Sequence, residues 1–79
     1  MVTVESVKAG IEAGLACEHL EVVGDGEHFQ ALVVCGAFAG KTRIQRHQMV
    51  YAALGDRMRA EIHALSMRTL TPAEWQAEG

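Results

Sequence analysis

Residues 40–55, GKTRIQRHQMVYAALG, specify one helix from its first residue to its last. The Thr42 hydroxyl can cap the first turn, and Gln45 stands three residues on, where a capping box needs it. Gly55 is placed to end the helix as a C′ glycine. Between them Ile44, His47, Val50, Tyr51 and Leu54 repeat with a 3.6-residue period, which predicts the packing face. His47 and Tyr51 are therefore read as packing residues. The opposite face offers Arg43, Arg46 and Gln48 to solvent or to a partner. Any fold for this chain must cover one side of this helix and leave the other side basic.

The chain before this helix alternates in period. Val4, Val7, Ile11 and Leu15 are spaced for an amphipathic helix, with Thr3 as its N-cap. Gly10 and Gly14 weaken that helix by about 1 kcal/mol each relative to alanine, so it needs tertiary support. Leu20 to Val23 reads as a strand. Gly24-Asp25-Gly26-Glu27 supplies turn chemistry. His28 to Cys35 reads as a longer strand, apolar on both faces as a central strand is. Residues 19–35 are thus expected to form an antiparallel hairpin with His28 near its turn. Gly36 to Gly40 reads as a loop in which Phe38 plugs the core.

After Gly55, residues 56–60 suggest one further helical turn, and residues 61–70 alternate as a strand. Thr71-Pro72-Ala73-Glu74 combines an N-cap, a proline at N1 and a glutamate at N3, a strong helix start that leads to Trp75. The expected order is α-β-β-α-(short α)-β-(short α). That order predicts an α+β fold, a small three-stranded mixed sheet with helices packed on one face.

With 79 residues there is room for a single domain, spanning 1–79. A chain this short buries only about 60% of its unfolded surface, so its sites are expected on surfaces and loops. No apolar run approaches the roughly 20 residues of a membrane span. The N-terminal residues lack the basic start and apolar segment of a signal peptide. A soluble, cytoplasmic protein with no membrane contact is expected. Cys17 and Cys35 are read as reduced cysteines packed as small apolar residues.

The net charge of −3 conceals a division along the chain. Residues 1–40 carry one positive and six negative charges, whereas residues 41–68 carry six positive and two negative. A basic middle section can attract an anionic partner. It can also serve as the reading half of a DNA-binding helix, with Arg43, Arg46 and Gln48 as contacts.

Other chemistries find little footing. Gly36-Ala-Phe-Ala-Gly40-Lys41-Thr42 has three residues between its glycines where a phosphate-binding P-loop has four. Cys17 and His19 lack the paired spacing of a structural zinc site. No serine sits in a GxSxG elbow. No enzymatic activity is expected.

Gly24-Asp25-Gly26-Glu27-His28-Phe29, Phe38-x-Gly40, Arg46-His47-Gln48-Met49-Val50-Tyr51-Ala52-Ala53-Leu54, Ile62-His63-Ala64-Leu65 and Thr71-Pro72-Ala73-Glu74-Trp75 occur here in that order. Together they resemble the BolA family over nearly the whole chain, its compact bacterial members in particular. The resemblance implies a class II KH-like fold. It implies a partner, a monothiol glutaredoxin, and a [2Fe-2S] cluster shared with glutaredoxin and glutathione. It places one cluster ligand on His63, in the His-Ala-Leu motif, and makes His28 the nearest candidate for a second ligand from the loop between the first two strands. Lys41, Arg43 and Arg46 become candidates for docking the partner. Phe38, His47, Tyr51 and Trp75 are assigned structural roles. The isolated protein is expected to hold no cluster and to be a monomer or weak homodimer. The resemblance also carries a second reading, a DNA-binding regulator acting through the basic helix 42–54.

Overall fold

The computed structural model describes residues 2–58 and 64–78. Its elements run α1 (Val4–Gly14), β1 (Cys17–Gly24), β2 (Phe29–Cys35), a 3₁₀ turn (Gly36–Phe38), α2 (Arg43–Leu54), a second 3₁₀ turn (Gly55–Met58), β3 (Leu65–Leu70) and α3 (Pro72–Glu78). The sheet has the strand order β1-β2-β3. β1 pairs with β2 antiparallel, and β2 with β3 parallel, so the sheet is mixed and α2 lies in the crossover.

Three capping boxes set the helix starts. Thr42 Oγ1 accepts from the Gln45 amide while Gln45 Oε1 accepts from the Thr42 amide. Thr71 and Glu74 make the same reciprocal pair at α3. Thr3 and Ser6 make it at α1, with serine filling the role of the usual glutamate or glutamine. Gly55 closes α2 at φ 61°, ψ −133°, a backbone region that favours glycine. Residues 59 and 60, expected to continue that turn, and 61–63, expected to open the last strand, lie outside the described residues.

The register divides the sheet into two faces. Val22 pairs with Ala31, and Phe29 with Leu65. These residues join Val33 and Cys35 on the face covered by α1 and α2, where Val7, Ile11, Phe38, Val50 and Leu54 complete the core. Phe38 is fully buried there. Tyr51 packs against the edge of the same cluster.

The expected packing stripe of α2 needs one correction. Ile44 is 71% exposed. It sits in the first turn of α2 and is not among the hydrophobic residues packed against the core. The working stripe is Val50 and Leu54, flanked by Met49 and Tyr51. Helices on one face also describes α1 and α2 but not α3. That helix lies against the opposite face, where His19, Val34 and Leu70 are aligned across the three strands. Its Trp75 ring stacks on His19 at 4.3 Å between centroids, and its Glu78 carboxylate accepts from Arg68.

The two long helices meet closely at Gly14. A Cβ there would stand 2.5 Å from Ala53 Cβ and 2.7 Å from Ala53 Cα. Alanine in place of a helical glycine gains up to about 1 kcal/mol of intrinsic stability. Overpacking against a neighbour costs about 1–3 kcal/mol, and here one of the neighbours is backbone, which cannot swing aside. Gly14→Ala is therefore expected to destabilise the domain on balance. A rise in the urea midpoint would show that α1 and α2 can separate without loss.

Candidate functional site

The turn between β1 and β2 is built by Asp25. Its carboxylate accepts from the amides of Glu27 and His28, both at 2.9 Å, which holds its carboxyl below the usual range. Gly26 takes the positive φ of 94° that the bend requires. At Gly24 a side chain would run into the His28 carbonyl and the Phe29 ring. These constraints leave His28 exposed, immediately before β2. Together with Val23, Gly24, Asp25 and Gln30 it borders a shallow hollow.

Phe29 pairs with Leu65 in the parallel ladder. His28 therefore stands at the end of the sheet where β3 begins. His63 lies outside the described residues, and in the chain it directly precedes Ala64, which is buried. Neutral imidazole is a suitable donor for iron, and an exposed one can reach an ion that a partner also holds. Among the described residues no three histidine, cysteine or acidic side chains gather as a metal-holding group.

The cysteines sit elsewhere. Cys17 and Cys35 are partners across the β1–β2 ladder, and both thiols are free. Cys35 donates to the Ala16 carbonyl at 3.5 Å. Burial, then the neighbouring Cys35 and Glu12, push the Cys17 thiol up to about 11. A thiol so reluctant to ionise is a poor ligand or nucleophile near neutral pH.

The basic helix is less free than its sequence suggests. Lys41 and Arg43 are exposed at its start, as the docking assignment requires. Arg46 is not. Its side chain is only 13% accessible. Nε donates to the Lys41 carbonyl at 3.0 Å, Nη1 to the Thr69 carbonyl at 3.0 Å and to Glu74 Oε1 at 2.7 Å. Its guanidinium also lies over the Phe38 ring at 5.9 Å. Arg46 thus joins α2, β3 and α3 within this chain. The signal in the sequence was Glu74, which caps α3 and holds Arg46 with the same carboxylate.

His47 is half-buried, and its Nε2 is enclosed with no hydrogen-bond partner among the described residues. Burial, then the charge of Arg43 one turn away, lower its pKa. His19 on β1 is half-buried, stacks with Trp75 and contacts the Glu21 carboxylate. Trp75 itself remains 37% exposed, so it seals the far face of the sheet and not the main core. Sequence reasoning passed over Arg68, which projects from the outer strand close to Arg43 and His47.

Fold and site together define a small three-stranded α+β domain that carries its polar groups on its surface. The family model described as BolA-like protein matches residues 11–74. The chain belongs to the BolA family. It is 44% identical to Protein BOLA2 of Arabidopsis thaliana over 96% of this chain and 86% of that one. It is 36% identical to the DNA-binding transcriptional regulator BolA of Haemophilus influenzae over 70% of this chain, which spans about half (53%) of that protein. Among solved structures, a bolA protein homologue from Coxiella burnetii superposes with a TM-score of 0.83 at 47% identity, covering 96% of this chain and 99% of the other. Among the described residues no helix is long and apolar enough to cross a membrane.

Proposed function

We propose that this BolA-family chain is a non-enzymatic adaptor that pairs with a monothiol glutaredoxin and shares a [2Fe-2S] cluster in iron–sulfur trafficking. The observation that carries this reading is the pairing of Phe29 with Leu65, which sets His28 at the end of the sheet where β3 starts. In the chain, His63 is separated from Leu65 by Ala64 alone. Two imidazoles from this chain, with thiolates from glutaredoxin and glutathione, make a mixed donor set. Histidine in place of thiolate raises the reduction potential of such a cluster. A protonatable ligand also makes retention fall as the medium turns acid, because the proton and iron compete for the same nitrogen. An exposed ligand favours passing the cluster on over keeping it. Lys41 and Arg43, at the exposed start of α2, are the cations available for steering the partner.

The test mixes the protein with glutaredoxin, glutathione, iron and sulfide. A coloured heterocomplex is expected. His63→Ala should alter its visible absorption and circular dichroism and shorten the cluster's lifetime. His28→Ala should do so independently if it supplies the second nitrogen. The reading is abandoned if no coloured complex forms, and the assignment of His63 fails if its replacement leaves the spectrum unchanged.

The Haemophilus relative's name favours a second reading, a DNA-binding regulator acting through the helix 42–54. It predicts affinity that falls linearly in log salt with the number of phosphates contacted. Arg43→Ala should weaken such binding while His63→Ala leaves it intact. The engagement of Arg46 within the fold removes one of the three side chains first counted for this reading.

A further inference from the structure

A groove of about 310 Å³ runs along the outer edge of the sheet, away from His28, between α2 and β3. Arg43, His47, Met67, Arg68, Thr69 and Leu70 line it. Arg43 and His47 lie on one face of α2, four residues apart. Arg68 reaches the groove from β3. Two arginines and a histidine thus border one opening, and among the described residues no acidic residue lines it. Of the neighbouring acids, Glu74 is held by Arg46 and the Thr71 amide, whereas Glu78 pairs with Arg68 of the groove itself.

The side chains around this groove leave two needs unmet. The enclosed Nε2 of His47 has no hydrogen-bond partner among the described residues, a cost that an acceptor seated beside the ring would remove. Arg43 is exposed at the helix start, and its charge adds to burial in disfavouring the His47 imidazolium. Arg68 does have a partner in Glu78, but that pair is 63% and 45% accessible and is worth little in water, so its guanidinium can turn inward.

We propose that this groove is a binding site for a phosphate dianion, with Arg43 and Arg68 as paired guanidinium clamps and His47 as the neutral hydrogen-bonding group between them. Guanidinium forks match the oxygens of a phosphate in pairs, and two of them balance two charges. A monocarboxylate would satisfy only one. The site is distinct from the hollow that His28 borders, which shares no lining residue with it.

The phosphate can be free or a terminal ester, so inorganic phosphate and a nucleoside monophosphate are titrated separately into the isotopically labelled protein. Sodium chloride at matched ionic strength and sodium acetate serve as comparisons. Saturable shifts are expected at the amides of Arg43, His47 and Arg68, together with an upward move of the His47 imidazole titration when phosphate is bound. That move reflects Arg43 on the helix and Arg68 on the strand being neutralised by the ligand, with Glu78 released from Arg68. Arg43→Gln and Arg68→Gln should each weaken binding about tenfold, the loss of one charge-assisted pair. Lys41→Gln should leave the affinity within about twofold, because its charge lies outside the groove and is screened. Tighter binding of the monophosphate identifies an ester as the ligand, and equal affinity identifies the free ion. The proposal is overturned if the shifts do not saturate, if acetate reproduces them, or if Arg43→Gln, shown to be folded by circular dichroism, binds as the parent does.

Discussion

Replacing Phe38 by alanine is expected to remove about 3–5 kcal/mol of stability, the usual cost of emptying a buried aromatic site. For a domain of this size the whole reserve is about 4–12 kcal/mol, so the variant should sit at the margin of folding. The side chain has no exposed surface and is enclosed by the core of α1, α2 and the inner sheet face. It also anchors the turn that launches α2. The Ala39 amide donates to the Gly36 carbonyl at 3.2 Å and the Lys41 amide to the Phe38 carbonyl at 3.0 Å. The loss therefore reaches Lys41 and the start of the basic helix. Urea unfolding followed by far-ultraviolet circular dichroism should show a large fall in midpoint. Phe38→Leu should recover more than half of it, because a smaller cavity remains. A fall below about 1 kcal/mol in Phe38→Ala would contradict its place in the core.

What the sequence revealed about this fold was mostly local. Thr42 with Gln45 and Thr71 with Glu74 announced two helices because a capping box closes within four residues. The glycine-rich turn announced the hairpin in the same way. The membership of α2's buried stripe was less legible. Period alone counts Ile44 with Val50 and Leu54, but only the tertiary packing decides which of them is covered. The face taken by α3 depends on His19, which is far from it in sequence, and on Arg68, whose facing the alternation of the strand left open. Arg46 shows the same limit. Its charged neighbours suggested a solvent face, while its partners Thr69 and Glu74 lie 23 and 28 residues away. Of the candidate cluster ligands, His28 was legible as a residue beside the turn, where the structure places it, exposed. The role given to His63 came from the resemblance of its His-Ala-Leu motif and not from any spacing. Arg68 was missed because an alternating strand shows its face only once the register is known.

Arg46→Ala is the second variant for which a large effect is expected, about 2–3 kcal/mol. The guanidinium gives one hydrogen bond to the Thr69 carbonyl, one to the Lys41 carbonyl and a two-pronged contact to Glu74. Its removal leaves the partly buried Thr69 carbonyl without this donor. It also frees a carboxylate that this contact, and the Thr71 amide after it, hold down to about 2. A depressed carboxyl stabilises the fold only while ionised. Its contribution is complete above the ordinary value of 4.5 and is lost as pH falls towards 2. The stability gap between the parent and Arg46→Ala should therefore be steady at neutral pH and narrow across that acid range. Glu74→Gln should remove the acid dependence of the gap. Arg46→Lys should rescue little, because an ammonium cannot span both Glu74 oxygens and the Thr69 carbonyl at once. Local opening gives a separate measure. α3 depends on this contact at its first turn and on the His19–Trp75 stack in its middle. Hydrogen exchange at the Trp75 amide, which donates to the Thr71 carbonyl at 3.0 Å, should accelerate in Arg46→Ala before the core amides of β2 do. If α3 keeps its protection in that variant, Arg46 is not what fastens the helix to the sheet.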